Sequence, residues 1–264
     1  MFNKRFHRKI TATIILALLC LFTLSGCSNV EIIIDYTQPT SESPSISNDL
    51  EVSFIDVGQA DSIFIRFPQG KTMLIDAGNN NDDETVINYI RAISREKIDV
   101  VMATHPHEDH IGAMDDIIEN FTIDRFYMPR VTTNTKTFKD MLKALENKGL
   151  KITEARGGIQ IPLDDYAKIE ILAPNSDKYE SLNDYSAIVK ITYGDTSFLF
   201  MGDAEKDSEE ELLANGYDLR ADVLKVGHHG SSSSSTEEFL RAVSPRYAII
   251  SVGKDNDYTH PHKE

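Results

Sequence analysis

Residues 98–110 read Ile98-Asp99-Val100-Val101-Met102-Ala103-Thr104-His105-Pro106-His107-Glu108-Asp109-His110, and this stretch decides the fold. The segment Ile98 to Ala103 is short and mostly apolar, the pattern of a strand buried within a sheet. Directly after it, three histidines and one aspartate fall within six residues. His105 and His107 are two apart, so an extended backbone points both side chains the same way. Asp109 and His110 occupy the turn that follows. Imidazole and carboxylate are the ligand set of zinc, iron or manganese. The plain alternative is a polar loop with chance histidines, and a packed H-x-H-x-D-H in a chain of 8 histidines argues against it.

Outward from this motif the pattern alternates between strands and helices. Leu50 to Phe54, Asp61 to Phe67 and Lys71 to Ile75 read as strands, the last two joined by a Pro68-Gln69-Gly70 turn. Asp82 to Arg95 is predicted helical, with Val86, Ile87, Ile90 and Ile93 on one face, and its opening Asp82-Asp83-Glu84 complements the helix dipole. Helices are also predicted over Asp115 to Asn120, Lys136 to Lys148 (stopped by Gly149), Glu205 to Ala214 and Thr236 to Val243. Further strands fall at Ile159–Pro162, Lys168–Leu172, Ala187–Tyr193, Ser197–Met201, Ala221–Val226 and Arg246–Val252. Strand groups separated by helices predict an α/β class of one domain, two stacked sheets with helices outside, an αββα sandwich over residues 50–264.

The 264 residues carry 42 acidic and 27 basic side chains, a formal charge of −15. That excludes binding nucleic acid or anionic membranes by bulk charge, without excluding a local site. Lys136, Lys139, Lys143 and Lys148 on one helix form either a basic track or a solvated face. Two cysteines exclude a disulfide scaffold. The N-terminus has a basic head (Lys4, Arg5, Arg8, Lys9), an apolar run from Ile10 to Leu24, and Leu24-Ser25-Gly26 before Cys27. This is the pattern of a secretory signal over residues 1–26. Leu-Ser-Gly-Cys resembles the bacterial lipobox, which implies lipidation at Cys27 and an extracytoplasmic protein anchored to the cell membrane. An uncleaved anchor is the alternative. Loss of residues 1–26 removes four bases and no acids, taking the charge from −15 to −19. Residues 27–49, rich in Pro and Ser, read as a polar tether; Glu31 to Asp35 within it is apolar, a stray strand or, by preference, a stretch near the membrane surface.

The His105–His110 motif resembles the metallo-β-lactamase superfamily, over roughly residues 50–264. Asp76 in Leu74-Ile75-Asp76-Ala77-Gly78 matches the family's strand-end Asp, which orients the metal loop. Asp203 in Met201-Gly202-Asp203 matches its metal-bridging carboxylate, and Lys225-Val226-Gly227-His228-His229-Gly230-Ser231 supplies its late His ligand, with His228 and His229 both candidates. Phe54-Ile55-Asp56-Val57-Gly58-Gln59-Ala60-Asp61-Ser62 is similar to the F-x-D-V-G-Q-G-D-S signature of the ComEC-type branch, the extracellular hydrolase module of DNA-uptake proteins and its stand-alone relatives, with Ala60 in place of the later Gly. Asn183-Asp184-Tyr185-Ser186 and Tyr258-Thr259-His260-Pro261-His262 resemble the same branch.

Where many such enzymes have a further ligand His, this sequence has none, so the site of His105 and His107 lacks a third protein His. Asp109, His110, Asp203 and one of His228 and His229 complete the other. Asn183 and Ser186 stand behind the ligands. The resemblance implies one or two divalent ions, zinc or manganese, and hydrolysis of a phosphodiester, DNA or another phosphoester, by a water deprotonated on the metal with Asp109 positioning it. His260 is a substrate-side acid, a supporting residue or a plain surface residue. Asp56 and Asp61 are read equally as functional residues or as turn caps, and Ser231 to Ser235 as a mobile loop rather than a nucleophile. The competing expectation is a non-catalytic or weakly active lipoprotein that binds DNA or a partner in an uptake or envelope system. A β-lactamase is not expected. The branch normally continues through another helix, so a C-terminal truncation is expected after Glu264.

Overall fold

The computed structural model describes residues 30–35, 49–94 and 96–263. Strands that are apolar on both faces build two sheets packed against each other. The first sheet holds β1 (Val30–Asp35), β2 (Leu50–Ile55), β3 (Ile63–Arg66), β4 (Thr72–Ile75), β5 (Lys97–Met102), β6 (Thr122–Met128) and β7 (Ile152–Glu154), in that spatial order. The second runs β13 (Tyr247–Ile249), β12 (Val223–Lys225), β11 (Thr196–Phe200), β10 (Ile188–Tyr193), β9 (Ala167–Ala173), β8 (Ile159–Gln160). In the first sheet β4, β5 and β6 are parallel; in the second β11, β12 and β13 are parallel. The helices are α1 (Asp83–Ser94), α2 (Glu108–Ile111), α3 (Met114–Asn120), α4 (Lys136–Lys148), α5 (Lys206–Ala214) and α6 (Glu237–Val243).

Alternation within single strands sorts the apolar side chains into three layers. In β3, Ile63 and Ile65 face the second sheet while Phe64 faces the helices; in β11, Phe198 and Phe200 face the first sheet while Leu199 faces outward. Val86 and Ile90 of α1, Ile117 of α3 and Met141 of α4 cover the first sheet. Leu212 of α5 and Phe239 of α6 cover the second. The predicted αββα sandwich is therefore the observed architecture.

The boundaries differ where a backbone or a charge intervenes. Thr135 caps α4, its side chain accepting from Phe138 N, and Gly149 ends that helix at φ 66°. Thr236, predicted inside a helix, is the cap of α6. Two unpredicted strands, β6 and β7, lie toward one edge of the first sheet. Asp124 and Arg125 interrupt the apolar pattern of β6; they are tied off by Lys97 Nζ at 2.7 Å and by a bond to Pro162 O. All three residues of β7 are exposed. The predicted strand at Arg246–Val252 shrinks to β13, because the backbone beyond Ile249 leaves the sheet to make the contacts described below.

Correcting the tether reading, Val30–Asp35 forms β1, paired in parallel with β2 from Val30↔Leu50 to Asp35↔Ile55. The signal sequence, Cys27 and residues 36–48 lie outside the described residues. Among the described residues, no helix is long and apolar enough to cross a membrane.

Candidate metal centre

Several strand ends deliver the site. Asp76 follows β4 with a left-handed φ of 59°, an unfavourable conformation for a non-glycine residue that is held by its contacts. Its Oδ1 accepts from Thr104 N at 2.8 Å. Its Oδ2 accepts from Thr104 Oγ1 at 2.7 Å and faces His110 Nδ1 at 2.8 Å. Asp76 therefore fastens the loop after β5 at two points and fixes the orientation of the His110 ring, the arrangement that raises a ligand's basicity. The loop also presses on the next turn: Gly112 N donates to Gly78 O, and a Cβ on Gly112 would sit 2.1 Å from the backbone carbon of Asn79.

Asp109, His110, Asp203 and His229 present their ligand atoms within 4.8 Å of one another. His110 Nε2 lies 3.2 Å from Asp203 Oδ2 and 3.9 Å from Asp109 Oδ2. His229 Nε2 lies 3.3 Å from Asp109 Oδ2 and 3.5 Å from Asp203 Oδ2. A tetrahedral ion bound at zinc-like distances separates its ligand atoms by about 3.3–3.5 Å, and three of these four separations lie at or near that range. His110 Nε2, His229 Nε2 and Asp203 Oδ1 are buried without a hydrogen-bond partner, a costly state for free polar atoms. The second nitrogen of each imidazole is occupied, His110 Nδ1 by Asp76 and His229 Nδ1 by the carbonyl of Ser251 at 2.9 Å. The donor set thus fits a divalent metal by chemistry, spacing and support.

The electrostatics match. Burial opposes charge on both imidazoles, but the Asp203 and Asp76 carboxylates hold His110 well above the usual histidine range. Asp203 and Asp109 push His229 up to about 9. Burial would raise the carboxyls of Asp203 and Asp109, yet the His110 and His229 rings hold both well below the usual range. The carboxylates and the two imidazoles thus stabilise each other's charged forms at the centre of the site.

His229, rather than His228, joins the cluster. Both adopt left-handed φ, 44° and 52°, and this contorted turn points the two rings apart. His228 Nδ1 meets Glu205 Oε1 at 3.0 Å and Ser233 Oγ at 3.1 Å. His228 in turn holds the Glu205 carboxyl down at about 2, against burial. His105 and His107 lie beside the cluster, His105 Nε2 being 2.9 Å from His107 Nδ1 and 3.9 Å from Asp203 Oδ2. Burial and the neighbouring His110 push His105 well below the usual histidine range, leaving it neutral. Ser186 stands behind them: its Oγ accepts from Asp203 N at 3.1 Å and lies 3.4 Å from His105 Nδ1. Asn183 is on the cavity wall with Nδ2 at 3.4 Å from His228, and His260 is at the rim, 3.4 Å from Gln59 Nε2.

Asp56 is an exposed turn residue whose Oδ1 accepts from Gly58 N. Ser231 to Ser235, expected as a loose loop, is instead bonded along its length: Ser234 Oγ donates to Gly227 O, and Ser235 N and Thr236 N donate to Glu209.

Lys225 had no assigned role in the sequence, and Asp61 only an open one. Lys225, at the end of β12, is fully buried; its Nζ pairs with Asp61 Oδ2, donates to Gly202 O at 2.9 Å and lies 3.9 Å from Asp203 Oδ1. Asp61 is 1% exposed, far from a solvent-facing turn cap. A second acidic grouping, Asp61 with Asp76 and His110, is thereby supplied with a fixed cation by the chain itself. The legible signal was a lysine ending an apolar strand, Val223-Leu224-Lys225.

The cluster opens into a cavity of about 490 Å³, lined among others by Gln59, His107, Asp109, Asn183, Tyr258 and His260. Residues 55–254 match the metallo-beta-lactamase superfamily. ComE operon protein 3 of Bacillus subtilis is 32% identical over 238 residues, covering 84% of this chain and 30% of that protein. Competence protein ComA of Neisseria gonorrhoeae is 26% identical over 216 residues, covering 81% and 28%. The chain spans about 30% of the length of these curated relatives. Their names agree with the ComEC-type likeness of residues 54–62. Among solved structures, the metallo-beta-lactamase fold protein YhfI from Bacillus subtilis superposes with a TM-score of 0.54 at 13% identity, over 78% of this chain and 88% of that one, a likeness of fold. With two stacked sheets, a histidine- and aspartate-lined centre at their strand ends and a family match over most of its length, this chain belongs to the metallo-beta-lactamase superfamily of hydrolases.

Proposed function

We propose that the chain is a metal-dependent phosphodiesterase acting outside the cytoplasmic membrane, on DNA or a chemically similar phosphoester. The observation that carries this reading is the convergence of Asp109, His110, Asp203 and His229, their ligand atoms within 4.8 Å of one another, at an open cavity. These four residues would hold one divalent ion, and His105 and His107 would contribute to a second. Such ions supply Lewis acidity, acidifying a bound water and polarising a phosphoryl oxygen. Asp109, whose side chain is 31% exposed, faces the cavity and would position the attacking water. His260 at the rim would donate a hydrogen bond to the departing oxygen, and Gln59, beside its Nδ1, positions the ring. Asp76, Thr104 and Ser251 keep the imidazoles in the orientation that exposes Nε2.

The competence-related names of the relatives favour DNA as substrate class. The basic head, apolar run and Leu-Ser-Gly-Cys sequence favour lipidation at Cys27 and attachment to the cell membrane. A second reading, a binding lipoprotein of low or no activity, is favoured by Ser186 standing beside His105 where many relatives of this fold place a ligand His.

The test is hydrolysis of bis(p-nitrophenyl) phosphate and of single- and double-stranded DNA with added manganese or zinc. Turnover that falls at least a hundredfold in D203N and H107A supports the enzyme. No turnover with either metal refutes it and leaves the binding reading.

A further inference from the structure

Tyr258 is 65% exposed and lines the metal cavity. Its ring lies over His260, centroids 5.6 Å apart and planes 27° from parallel, with most of its surface in solvent. The loop that carries it is built rather than loose. Asn256 Oδ1 accepts from Tyr258 N and His260 N, and Asn256 Nδ2 donates to Gly253 O and His260 O. Gln59 Oε1 accepts from Gly253 N, Gly230 O accepts from His262 N, and His262 Nδ1 accepts from Ser232 N. Asp255 and Thr259 flank the tyrosine in left-handed conformations, φ 57° and 61°, which only such bonding holds in place. An aromatic face is therefore presented, in a fixed position, at the mouth of the catalytic cavity.

Among the described residues no lysine or arginine lines that cavity, and the chain is strongly acidic. The metal centre addresses the phosphate, so affinity for the organic part of the substrate comes from uncharged contact. Bases stack on aromatic side chains without regard to sequence.

We infer that Tyr258, backed by His260, is a stacking subsite for one unpaired nucleobase next to the scissile phosphodiester. This rests on the phosphodiesterase reading and narrows it to single strands or strand ends, because a base inside a duplex has both faces covered.

The test compares two fluorescein-labelled, phosphorothioate-linked strands of equal length, an oligothymidylate and its abasic-spacer counterpart, by anisotropy with the manganese-loaded protein. The base-bearing strand is expected to bind about five- to a hundredfold more tightly. Y258A should erase that difference and Y258F should keep it. Equal binding of the two strands, no binding of either, or an unchanged difference in Y258A overturns the subsite. Hydrolysis of bis(p-nitrophenyl) phosphate by the unmodified protein is measured in parallel. Its loss would refute the phosphodiesterase while a base-dependent difference still stood, so the two failures are distinguishable.

Discussion

Replacing Lys225 by methionine should destabilise the protein far more than the loss of a surface charge would. The ammonium is fully buried, paired with Asp61 Oδ2 and bonded to Gly202 O. Asp61 is 1% exposed, and its other oxygen already lacks a hydrogen-bond partner. K225M therefore leaves a buried carboxylate without its directly paired cation, the His110 and His229 rings standing 3.9 Å away. Breaking such a pair from one side costs about 3–5 kcal/mol. For a domain of this size that corresponds to a drop in Tm of roughly 6–20 °C. Neutralising the second partner as well, in K225M/D61N, removes the stranded charge and should recover much of the loss. Urea unfolding followed by circular dichroism, on the wild type, both single variants and the double variant, measures the coupling directly. The reasoning is refuted if K225M costs less than about 1 kcal/mol, the upper range of an exposed pair, or if the double variant is as unstable as the two single losses added together.

The same structure separates the adjacent histidines. H229A should weaken zinc binding by more than about a hundredfold, above the range for supporting residues, while H228A stays within about tenfold, measured by competition with a chromophoric chelator. Because His229 is pushed up to about 9, protons compete with the metal below that value. Zinc affinity of the wild type should rise with pH toward 9, more steeply than that of H229A. Asp99 gives a pH signature in the fold itself. Its carboxylate meets Lys71 at 2.8 Å, Lys97 at 3.1 Å and Thr72 N at 3.0 Å, and these lysines outweigh burial and lower its pKa. A carboxyl lowered on folding stabilises above its unfolded value of 3.8 and loses that contribution as pH falls through the folded value. D99N should cost about 1–3 kcal/mol at pH 7, and the deficit should close below about pH 4 in acid-titrated thermal melts.

Much of the architecture was legible because its signals are local. A run such as Ile98 to Ala103 has one physical solution, burial on both faces, and Phe138, Met141 and Leu145 at helical spacing have another. The strand β6 was hidden because Asp124 and Arg125 break the apolar pattern, and their compensation by Lys97 and by Pro162 O comes from other segments. β1 was read away from the sheet because only its pairing with β2 gives it a place.

By itself the sequence determined the fold class and pointed to most of the histidines and aspartates that cluster. H-x-H-x-D-H after a buried strand concentrates imidazoles and carboxylates that no core would tolerate without a purpose. Which atoms meet was decided by tertiary structure alone. His228 and His229 are indistinguishable in composition and spacing; a left-handed turn points one ring at Asp109 and Asp203 and the other at Glu205. Asp61 and Lys225 stand 164 positions apart and become a buried ion pair only when β12 is laid against β11 and the turn after β2 folds under the metal loop. Direction and contact between distant segments are properties of packing, and a one-dimensional pattern carries residue type and period but not those.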